Sequence, residues 1–307
     1  MAPPMFINTY AGNPLDRAAE RRLDADWLAA RRADADTVLV ASWNGQPLVR
    51  EREGGLDLVR LDGEMGFALA RADEDLLFLG LDGQTAVFGL NLDGEADPTA
   101  GPLEGRGKFL DLRFVGGQLS AGDAGIAATA KAVLEWHQRH KFCSLCGQRS
   151  DVAEAGWKRV CPACKAEHFP RTDPVTIMLP TYGEQCLLGR QAAWPKGRFS
   201  TLAGFMEPGE SIEAACAREV KEEAGLTVTS VRYHSSQPWP FPTNLMIGLI
   251  AEVSDQNAAP DQTELEEVRW FSRQEMCALI RGDVDGVGVP PPFAVAHQLM
   301  KAWAEGA

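Results

Sequence analysis

The sequence predicts a protein of mixed α and β structure that is divided into more than one domain. At 307 residues the chain is longer than most single domains, and 45% of its residues are hydrophobic, as in ordinary globular proteins. Its N-terminal third alternates short apolar runs with turn signals, whereas residues 211–224 place apolar side chains at helical spacing. Two Cys-X-X-Cys pairs lie between these regions. We therefore expect a β-rich N-terminal domain, a small cysteine-bounded module and a C-terminal domain of strands and helices.

The first region contains two predicted β-hairpins. Residues 37–43 form a β-like run that is followed by Asn44-Gly45, and residues 76–81 and 85–90 flank Asp82-Gly83. The Gly- and Pro-rich stretch 94–107 predicts a loop, and residues 123–140 predict a helix that leads to the first cysteine pair. We find no internal repeat in the sequence and no residue pattern in this region that indicates a chemical role.

Four cysteines form the next element. The two Cys-X-X-Cys pairs are separated by 14 residues, and Gly147 follows the first pair directly, as in the tight turn of a zinc knuckle. Four thiolates complete a tetrahedral site and leave no open position, so this pattern predicts structural Zn²⁺ in a zinc ribbon rather than a catalytic metal. A pair of redox motifs is the alternative. The predicted ligands are Cys143, Cys146, Cys161 and Cys164.

Residues 204–226 read GFMEPGESIEAACAREVKEEAGL and predict a short acidic helix. Ser211 is a candidate N-cap and Gly225 a candidate C-cap, so the helix should span residues 211–224. Glu219, Glu222 and Glu223 lie three and four residues apart, where like charges repel each other. A bound divalent cation would turn this repulsion into attraction, and oxygen ligands favour Mg²⁺ or Mn²⁺. The alternative is an acidic helix face that is simply solvated.

Residues 236–244 read SQPWPFPTN and form the other distinctive segment. Three prolines within five residues exclude a helix and stiffen the chain, so that Trp239 and Phe241 become rigid aromatic surfaces. Gln237 and Asn244 carry amides that can read a carboxamide or a ribose. The segment therefore predicts one wall of a binding site, with a surface turn that packs its aromatic rings as the alternative.

These motifs resemble a known family. Residues 204–226 fill every fixed position of the Nudix box, and the chain is similar in this respect to the Nudix hydrolases. Residues 236–244 resemble the SQPWPFPxS signature of the NADH pyrophosphatases, with Asn244 in place of Ser, and a zinc ribbon precedes the Nudix domain in that family. The resemblance implies a Nudix α/β/α sandwich over residues 170–305, a zinc ribbon over 139–169 and a β-rich N-terminal domain over 1–130.

The resemblance also implies roles for individual residues, each carried over by position. The implied catalytic residues are Glu219, Glu222, Glu223 and Glu264, with Glu267 in reserve for Glu264. The implied ligands of Mg²⁺ or Mn²⁺ are Glu219, Glu223, Glu264 and the backbone carbonyl of Ala203. The implied substrate contacts are Phe169, Phe205, Gln237, Pro238, Trp239, Pro240, Phe241, Pro242, Thr243, Asn244 and Ala296, with Arg113 as a looser match. Lys196 and Arg198 precede the box and are candidates for phosphate contact or for a solvated loop.

The reaction that this resemblance implies is hydrolysis of the diphosphate of NAD(H) to nicotinamide mononucleotide and AMP, by a homodimer. One alternative is removal of the NAD cap from the 5′ end of RNA by cleavage of the same bond, and another is hydrolysis of ADP-ribose or diadenosine polyphosphates. An alternative of a different class is a nucleic-acid-binding regulator with an inactive Nudix fold. The intact set of box glutamates disfavours this last possibility.

Net charge and cysteine content limit the binding partners and the compartment that we expect for the protein. The formal net charge of −13 disfavours broad electrostatic binding to a nucleic-acid backbone. Seven cysteines, four of them in a metal pattern, indicate a reducing compartment. The sequence has no apolar run of membrane-spanning length and no secretory signal pattern, so we expect a cytoplasmic protein without a membrane partner.

Overall fold

The computed structural model describes residues 8–306. By their internal contacts these residues form two compact units. The first unit contains residues 9–172 together with 239–243, and the second contains Asn8, residues 173–238 and residues 244–306. Within this described range, no helix has both the length and the apolar character that are needed to cross a membrane.

The first unit is rich in strands, as predicted, and both predicted hairpins are confirmed. Asn44 and Gly45 both have positive φ, at 50° and 73°, which is the geometry that lets a two-residue turn join twisted antiparallel strands. The predicted helix that leads to the ribbon is confirmed, and the side chain of Ser120 caps its first turn. In chain order the elements are α1 (Ala25–Arg32), β1 (Val38–Trp43), β2 (Gln46–Arg52), β3 (Gly55–Leu58), β4 (Leu61–Asp62), α2 (Gly63–Leu69), β5 (Leu76–Asp82), β6 (Thr85–Leu92), β7 (Lys108–Phe109), α3 (Leu112–Val115), α4 (Ala121–Arg139), β8 (Asp151–Ala153), β9 (Lys158–Val160) and β10 (Glu167–His168).

The second unit is an α/β/α sandwich, which confirms the predicted fold of the C-terminal domain. Its six-stranded sheet has the order β14-β15-β11-β12-β16, with β13 paired to β11. Successive side chains of a strand point to opposite faces, so Met178 packs with one layer of helices while Ile177 and Leu179 pack with the other. The elements are β11 (Asp173–Tyr182), β12 (Gln185–Arg190), β13 (Leu202–Phe205), α5 (Ile212–Ala224), β14 (Val228–Trp239), β15 (Asn244–Val253), β16 (Glu267–Ser272), α6 (Arg273–Arg281) and α7 (Val295–Ala304).

The strand order of the second unit recurs in the first. Strand β1 pairs antiparallel with β2 and β4 and parallel with β6, just as β11 pairs antiparallel with β12 and β13 and parallel with β15. Helix α2 lies between β4 and β5 in the chain, where α5 lies between β13 and β14. Our expectation that the chain contains no internal repeat is therefore wrong at the level of topology. The side-chain pattern does not reveal the repeat because α2 carries only one acidic residue, Glu64, in place of the acidic cluster of α5.

Candidate active site

Helix α5 has the boundaries that the sequence predicts. The Ser211 hydroxyl accepts a hydrogen bond of 3.2 Å from the backbone N–H of Ala214, which satisfies one of the free donors of the first turn. At the other end Gly225 has a φ of 72°, a left-handed conformation that favours glycine and that ends the helix. Ala215, Cys216 and Val220 are buried against the sheet, as their spacing indicates. These contacts fix the helix, and with it the position of the acidic side chains on its second half.

The three glutamates of this helix have different environments. Glu219 is 7% exposed and Glu223 is 4% exposed, whereas Glu222 is exposed to solvent. The pair four residues apart therefore faces inward together, and Glu222 lies at the edge of the cluster. The structure thus brings Glu219 and Glu223 together at a buried position and leaves Glu222 at the rim.

Arg218 connects the acidic cluster to the preceding loop. Its guanidinium donates to both carboxylate oxygens of Glu210 at 2.6 and 2.9 Å, to Glu219 at 2.6 Å and to Glu222 at 2.9 Å. A further bond of 2.8 Å goes to the backbone carbonyl of Phe205. Arg218 lies four residues before Glu222, a spacing that lets it orient this glutamate, and the structure gives it three more partners. The planar guanidinium suits this role because its five donors have fixed directions.

Glu210 has a supporting role that our assignment of site residues missed. Besides its two bonds to Arg218, its carboxylate accepts a hydrogen bond of 2.8 Å from the backbone N–H of Glu207. The Arg218 guanidinium, followed by this backbone donor, lowers the pKa of Glu210 to about 2. Glu210 therefore stays ionised and anchors Arg218. Its fixed position in the box, eight residues before Arg218, is the sequence signal that could have identified it.

Burial, together with the neighbouring charges of Glu219 and Glu264, raises the pKa of Glu223 to about 8. Burial likewise raises the pKa of Glu219, against the opposing effect of Arg218. One carboxylate oxygen of Glu223, Oε2, is buried and has no hydrogen-bond partner. A buried oxygen without a partner next to a second buried carboxylate is costly, and a divalent cation would satisfy both. The residues at this position therefore fit a hard metal ion.

A loop from the C-terminal part of the chain places Glu264 near the acidic pair, since its charge raises the pKa of both Glu219 and Glu223. Among the described residues, the carboxylate oxygens of the three glutamates do not all come within 4.8 Å of one another. The Asp261 carboxylate accepts the backbone N–H groups of Glu264 at 3.0 Å and of Leu265 at 2.9 Å. The N–H of Asp261 in turn donates to the carbonyl of Glu223 at 3.3 Å, so the loop is attached to the end of α5. Asp261 is a second residue that our assignment missed, since no motif in the sequence marks it.

Glu267, the alternative candidate for the role of Glu264, forms an ion pair with Arg190. It begins β16, and its carboxylate lies 3.5 Å from Nε of Arg190, a side chain that is itself buried. Glu264 is exposed, and its charge raises the pKa of both Glu219 and Glu223. Of the two residues, Glu264 is the one near the acidic pair. Its role as a ligand or base stays a prediction.

Strand β13 forms the edge of the site at Ala203 and Gly204. Burial raises the pKa of Glu223 most, and a hydrogen bond from the backbone of Ala203 acts in the opposite direction, so Ala203 lies beside this carboxylate. The Gly204 carbonyl accepts a bond of 3.3 Å from the Thr176 hydroxyl on the neighbouring strand β11. Ala203 thus lies where the resemblance requires a backbone ligand, although its binding of metal through the carbonyl stays a prediction.

Trp239 and Phe241 pack against the apolar core of the first unit. Their ring centroids are 5.2 Å apart, and Tyr10 contacts both rings edge-on at 6.0 and 6.2 Å. The Arg113 guanidinium lies 5.6 Å from the centroid of Phe241 and donates hydrogen bonds from Nε and Nη2 to the Asp111 carboxylate. Both predicted rings are half-buried, so part of each remains accessible while part is packed. Their predicted contact with substrate is compatible with this arrangement and stays a prediction.

The remaining predicted substrate residues fall into two groups. Phe169 and Phe205 are 60% and 58% exposed, and their rings are therefore available for stacking on a base. Gln237 and Ala296 are buried, and Ala296 packs in the core between α7 and the sheet. Segment 238–244 includes the buried Pro240, the exposed Pro242 and the half-buried Pro238, Thr243 and Asn244. Lys196 and Arg198 are exposed in their loop.

The four predicted zinc ligands come together in the first unit. Their sulfur atoms all lie within 4.8 Å of one another, a spacing that suits one tetrahedral ion. Two similar turns present them. The N–H of Gly147 donates to the Cys143 carbonyl at 2.9 Å, and the N–H of Lys165 donates to the Cys161 carbonyl at 2.9 Å.

Both of these turns end in a left-handed residue, with a φ of 76° at Gly147 and of 64° at Lys165. The sequence predicts the first turn from its glycine but not the second, because a lysine at this position gives no signal. The cysteine cluster supports structural zinc and disfavours a pair of separate redox motifs.

Comparison with known proteins agrees with this arrangement along most of the chain. A NUDIX domain model matches residues 171–287, an NADH pyrophosphatase zinc ribbon domain model matches residues 138–169, and a model of an NADH pyrophosphatase-like rudimentary NUDIX domain matches residues 36–136. The match to the rudimentary NUDIX domain covers the strands of the first unit that repeat the strand order of the second.

Whole-chain relatives are also similar. NAD-capped RNA hydrolase NUDT12 of Macaca fascicularis is 37% identical over 96% of this chain and 73% of its own length. NAD(P)H pyrophosphatase NUDT13, mitochondrial, of Homo sapiens is 39% identical over 83% of this chain and 78% of its own. NAD-capped RNA hydrolase NudC of Mycobacterium bovis is 38% identical over 92% and 93%.

Proposed function

The chain belongs to the Nudix hydrolases, in the branch of NADH pyrophosphatases that carry a zinc ribbon, and we propose that it hydrolyses the diphosphate of NAD(H) to nicotinamide mononucleotide and AMP. The observation that carries the proposal is the buried pair Glu219 and Glu223, in which Oε2 of Glu223 lacks a partner. The SQPWPFPTN segment supports the choice of a nicotinamide dinucleotide over other diphosphates.

Hydrolysis adds one water across the diphosphate bridge. The water oxygen bonds to one phosphorus, the bridging oxygen leaves with the other phosphate, and each mononucleotide retains one phosphate group. We assign Mg²⁺ or Mn²⁺ to Glu219, Glu223, Glu264 and the Ala203 carbonyl; a bound ion of this kind lowers the pKa of water and neutralises phosphate charge. Arg218 holds the carboxylates of Glu219 and Glu222 in place, and Glu264 is exposed and is our candidate to accept the proton of the water.

Product analysis tests the proposal directly. The protein is incubated with NADH and Mg²⁺ or Mn²⁺, and the products are separated by chromatography. We expect reduced nicotinamide mononucleotide and AMP in equal amounts. Nicotinamide plus ADP-ribose, or no product with either metal, would contradict the proposal.

A matched pair of variants on one helix tests the role of the acidic cluster. Glu223→Gln removes a charge from the buried pair, and we expect it to lower turnover by about three orders of magnitude without unfolding the protein, because metal binding depends on this carboxylate. Glu213→Gln, an exposed position on α5 outside the cluster, should leave turnover within about twofold of the unaltered protein. Near-full activity of Glu223→Gln would overturn the metal assignment.

A second substrate of the same chemistry is the NAD cap of RNA. Two of the relatives described above are NAD-capped RNA hydrolases, and the bond that is cleaved is the same. The ratio of kcat/KM for NADH to kcat/KM for a short NAD-capped RNA decides which is preferred. The net charge of −13 predicts that long RNA gains little affinity from backbone contacts.

We also propose a cytoplasmic homodimer with a structural zinc ion in each chain. The resemblance supports the dimer, and the reduced cysteine pattern supports the compartment. The proposed domain boundaries remain 1–130, 139–169 and 170–305. Light scattering on the zinc-loaded protein tests the dimer, and a mass of about 33 kDa, that of one chain, would contradict it.

A further inference from the structure

Gln237 is the most deeply buried polar residue of the SQPWPFPTN segment, with 0% of its surface exposed. Both the nitrogen and the oxygen of its amide form hydrogen bonds. Nε2 donates a hydrogen bond of 2.8 Å to the carbonyl of Phe293, and Oε1 accepts one of 2.8 Å from the N–H of Val295. Both partners are backbone groups at the start of α7. The side chain therefore spans from the end of β14 to the beginning of the last helix.

Helix α7 lacks an N-cap of its own. The residue in the N-cap position is Ala294, which has no side-chain acceptor, and the N–H groups at the very start of a helix precede the first carbonyl that could accept from them. The Val295 N–H is one of these groups, and it is buried. Gln237, on strand β14, supplies the acceptor for the N–H of Val295. A Ser or Asp at position 294 would accept from the second or third helical N–H, so the N–H of Val295 needs an acceptor from outside the helix.

This contact connects two stretches that are predicted to bind substrate. Gln237 opens the run of residues 237–244, and Val295 directly precedes Ala296 in the chain. The two stretches lie close together, since a β-carbon on Gly248 would meet both the Ser235 carbonyl at 2.8 Å and the Val295 side chain at 3.0 Å. A displacement of α7 would therefore displace Ala296 relative to the end of β14.

We propose that Gln237 is a positioning residue, which holds the start of α7, and hence Ala296, against the end of β14 rather than reading the substrate with its own amide. This inference rests on the proposed function, because it assigns a role within the same binding site. It accounts for a glutamine at this position, since the amide offers a donor and an acceptor on one planar group for two backbone partners.

Steady-state kinetics and hydrogen exchange on Gln237→Leu test the proposal together. The variant removes both bonds and retains similar volume. We expect the KM for NADH to rise about tenfold or more while kcat stays within about threefold, because the metal-binding carboxylates lie on a different helix. Exchange of the amides of residues 293–297, measured without substrate, should become faster. Gln298→Leu is the matched control, since it removes an amide bond to Pro292 from the outer side of the same helix.

The outcomes separate three explanations. If KM rises while exchange at residues 293–297 is unchanged, Gln237 contacts the substrate directly. If KM is unchanged, Gln237 contributes only to stability. Either result overturns the proposal. If Gln237→Leu does not fold, Gln237→Glu retains the acceptor for Val295 and loses only the donor, and it should give a smaller rise in KM with Val295 still protected. A wild-type protein that cleaves no NADH would refute the proposed function, whereas the exchange measurement would still test the contact with α7.

Discussion

Gly204 lies directly against the carboxylate of Glu219, and a β-carbon at this position would overlap the carboxylate atoms. The backbone of Gly204 is not in the left-handed region, so the position needs glycine for space rather than for conformation. Strand β13 can therefore pass close to α5 and bring the backbone of Ala203 next to the acidic pair. Gly204, the first residue of the box, and Glu219 on α5 are therefore in direct contact.

Gly204→Ala should displace Glu219 and lower kcat/KM for NADH by about a hundredfold or more, because small displacements at a reacting centre have large effects on rate. Circular dichroism should show that the fold is retained. Gly288→Ala is the control, since nothing lies within 4 Å of a β-carbon there and its φ is not in the left-handed range. Equal activity of the two variants would show that the position of Glu219 is not critical.

The acidic pair predicts how stability depends on pH when Mg²⁺ and Mn²⁺ are absent. The pKa of Glu223 rises from 4.5 to about 8 in the folded protein, so below pH 4.5 this group is protonated in both states and has no net effect. Between pH 4.5 and pH 8 the unfolded chain has released this proton while the folded protein still holds it, so the free energy of unfolding falls by about 5 kcal/mol over this range and stays at the lower value above it. Glu223→Gln should therefore be more stable than the unaltered protein at pH 8.5, and this difference should nearly vanish at pH 5.

Urea unfolding at the two pH values measures this difference. The divalent ions should be removed by dialysis with the zinc content checked, because a strong chelator would also remove the ribbon metal. Addition of Mn²⁺ at pH 8.5 should then stabilise the unaltered protein more than Glu223→Gln. A stability difference that does not change with pH would show that Glu223 titrates normally.

Arg218→Lys should lower kcat/KM by at least about tenfold although the charge is retained. A single ammonium group cannot replace the planar set of bonds to Glu210, Glu219, Glu222 and the Phe205 carbonyl. Arg281→Lys, in an exposed ion pair with Asp283, provides the comparison and should have no measurable effect. Full activity of Arg218→Lys would mean that only the charge of this residue matters.

The zinc ribbon predicts one zinc ion for each chain. Cys161→Ser removes a buried ligand, so we expect the zinc content to fall and the melting temperature to drop by several degrees, since structural zinc contributes directly to folding. Metal analysis and a thermal melt measure both effects. Cys277→Ser, on α6 and outside the cluster, should retain the zinc. Equal zinc content in the two variants would argue against the four-cysteine site.

Much of this protein could be predicted from local sequence patterns. The limits of α5 followed from Ser211 and Gly225, because capping depends on residues that are close in the chain. The two hairpins followed from Asn44-Gly45 and Asp82-Gly83 for the same reason. The zinc ligands and the acidic cluster also followed, since their chemistry lies in residue type and spacing. Family membership then came from two short motifs.

Features that depend on distant residues could not be predicted in this way. The attachment of Glu264 to α5 depends on Asp261, whose carboxylate happens to meet two backbone N–H groups of its loop. The burial of Gln237 depends on an uncapped helix that begins 58 residues later in the chain. The repeat of strand order in the first unit depends on backbone pairing, which many different side chains permit.

The sequence by itself determined the class of reaction, the metal-binding residue types and the local helix and turn boundaries, because these depend on chemical groups at fixed spacing along the chain. Only the tertiary structure decided which of the three glutamates are buried together, that Glu210 and Asp261 support them, and that the amide of Gln237 is already occupied by backbone. The reason is physical. Burial and hydrogen-bond partners are set by packing between segments that are distant in sequence, and the spacing of residues within one segment does not predict which distant segments it will contact.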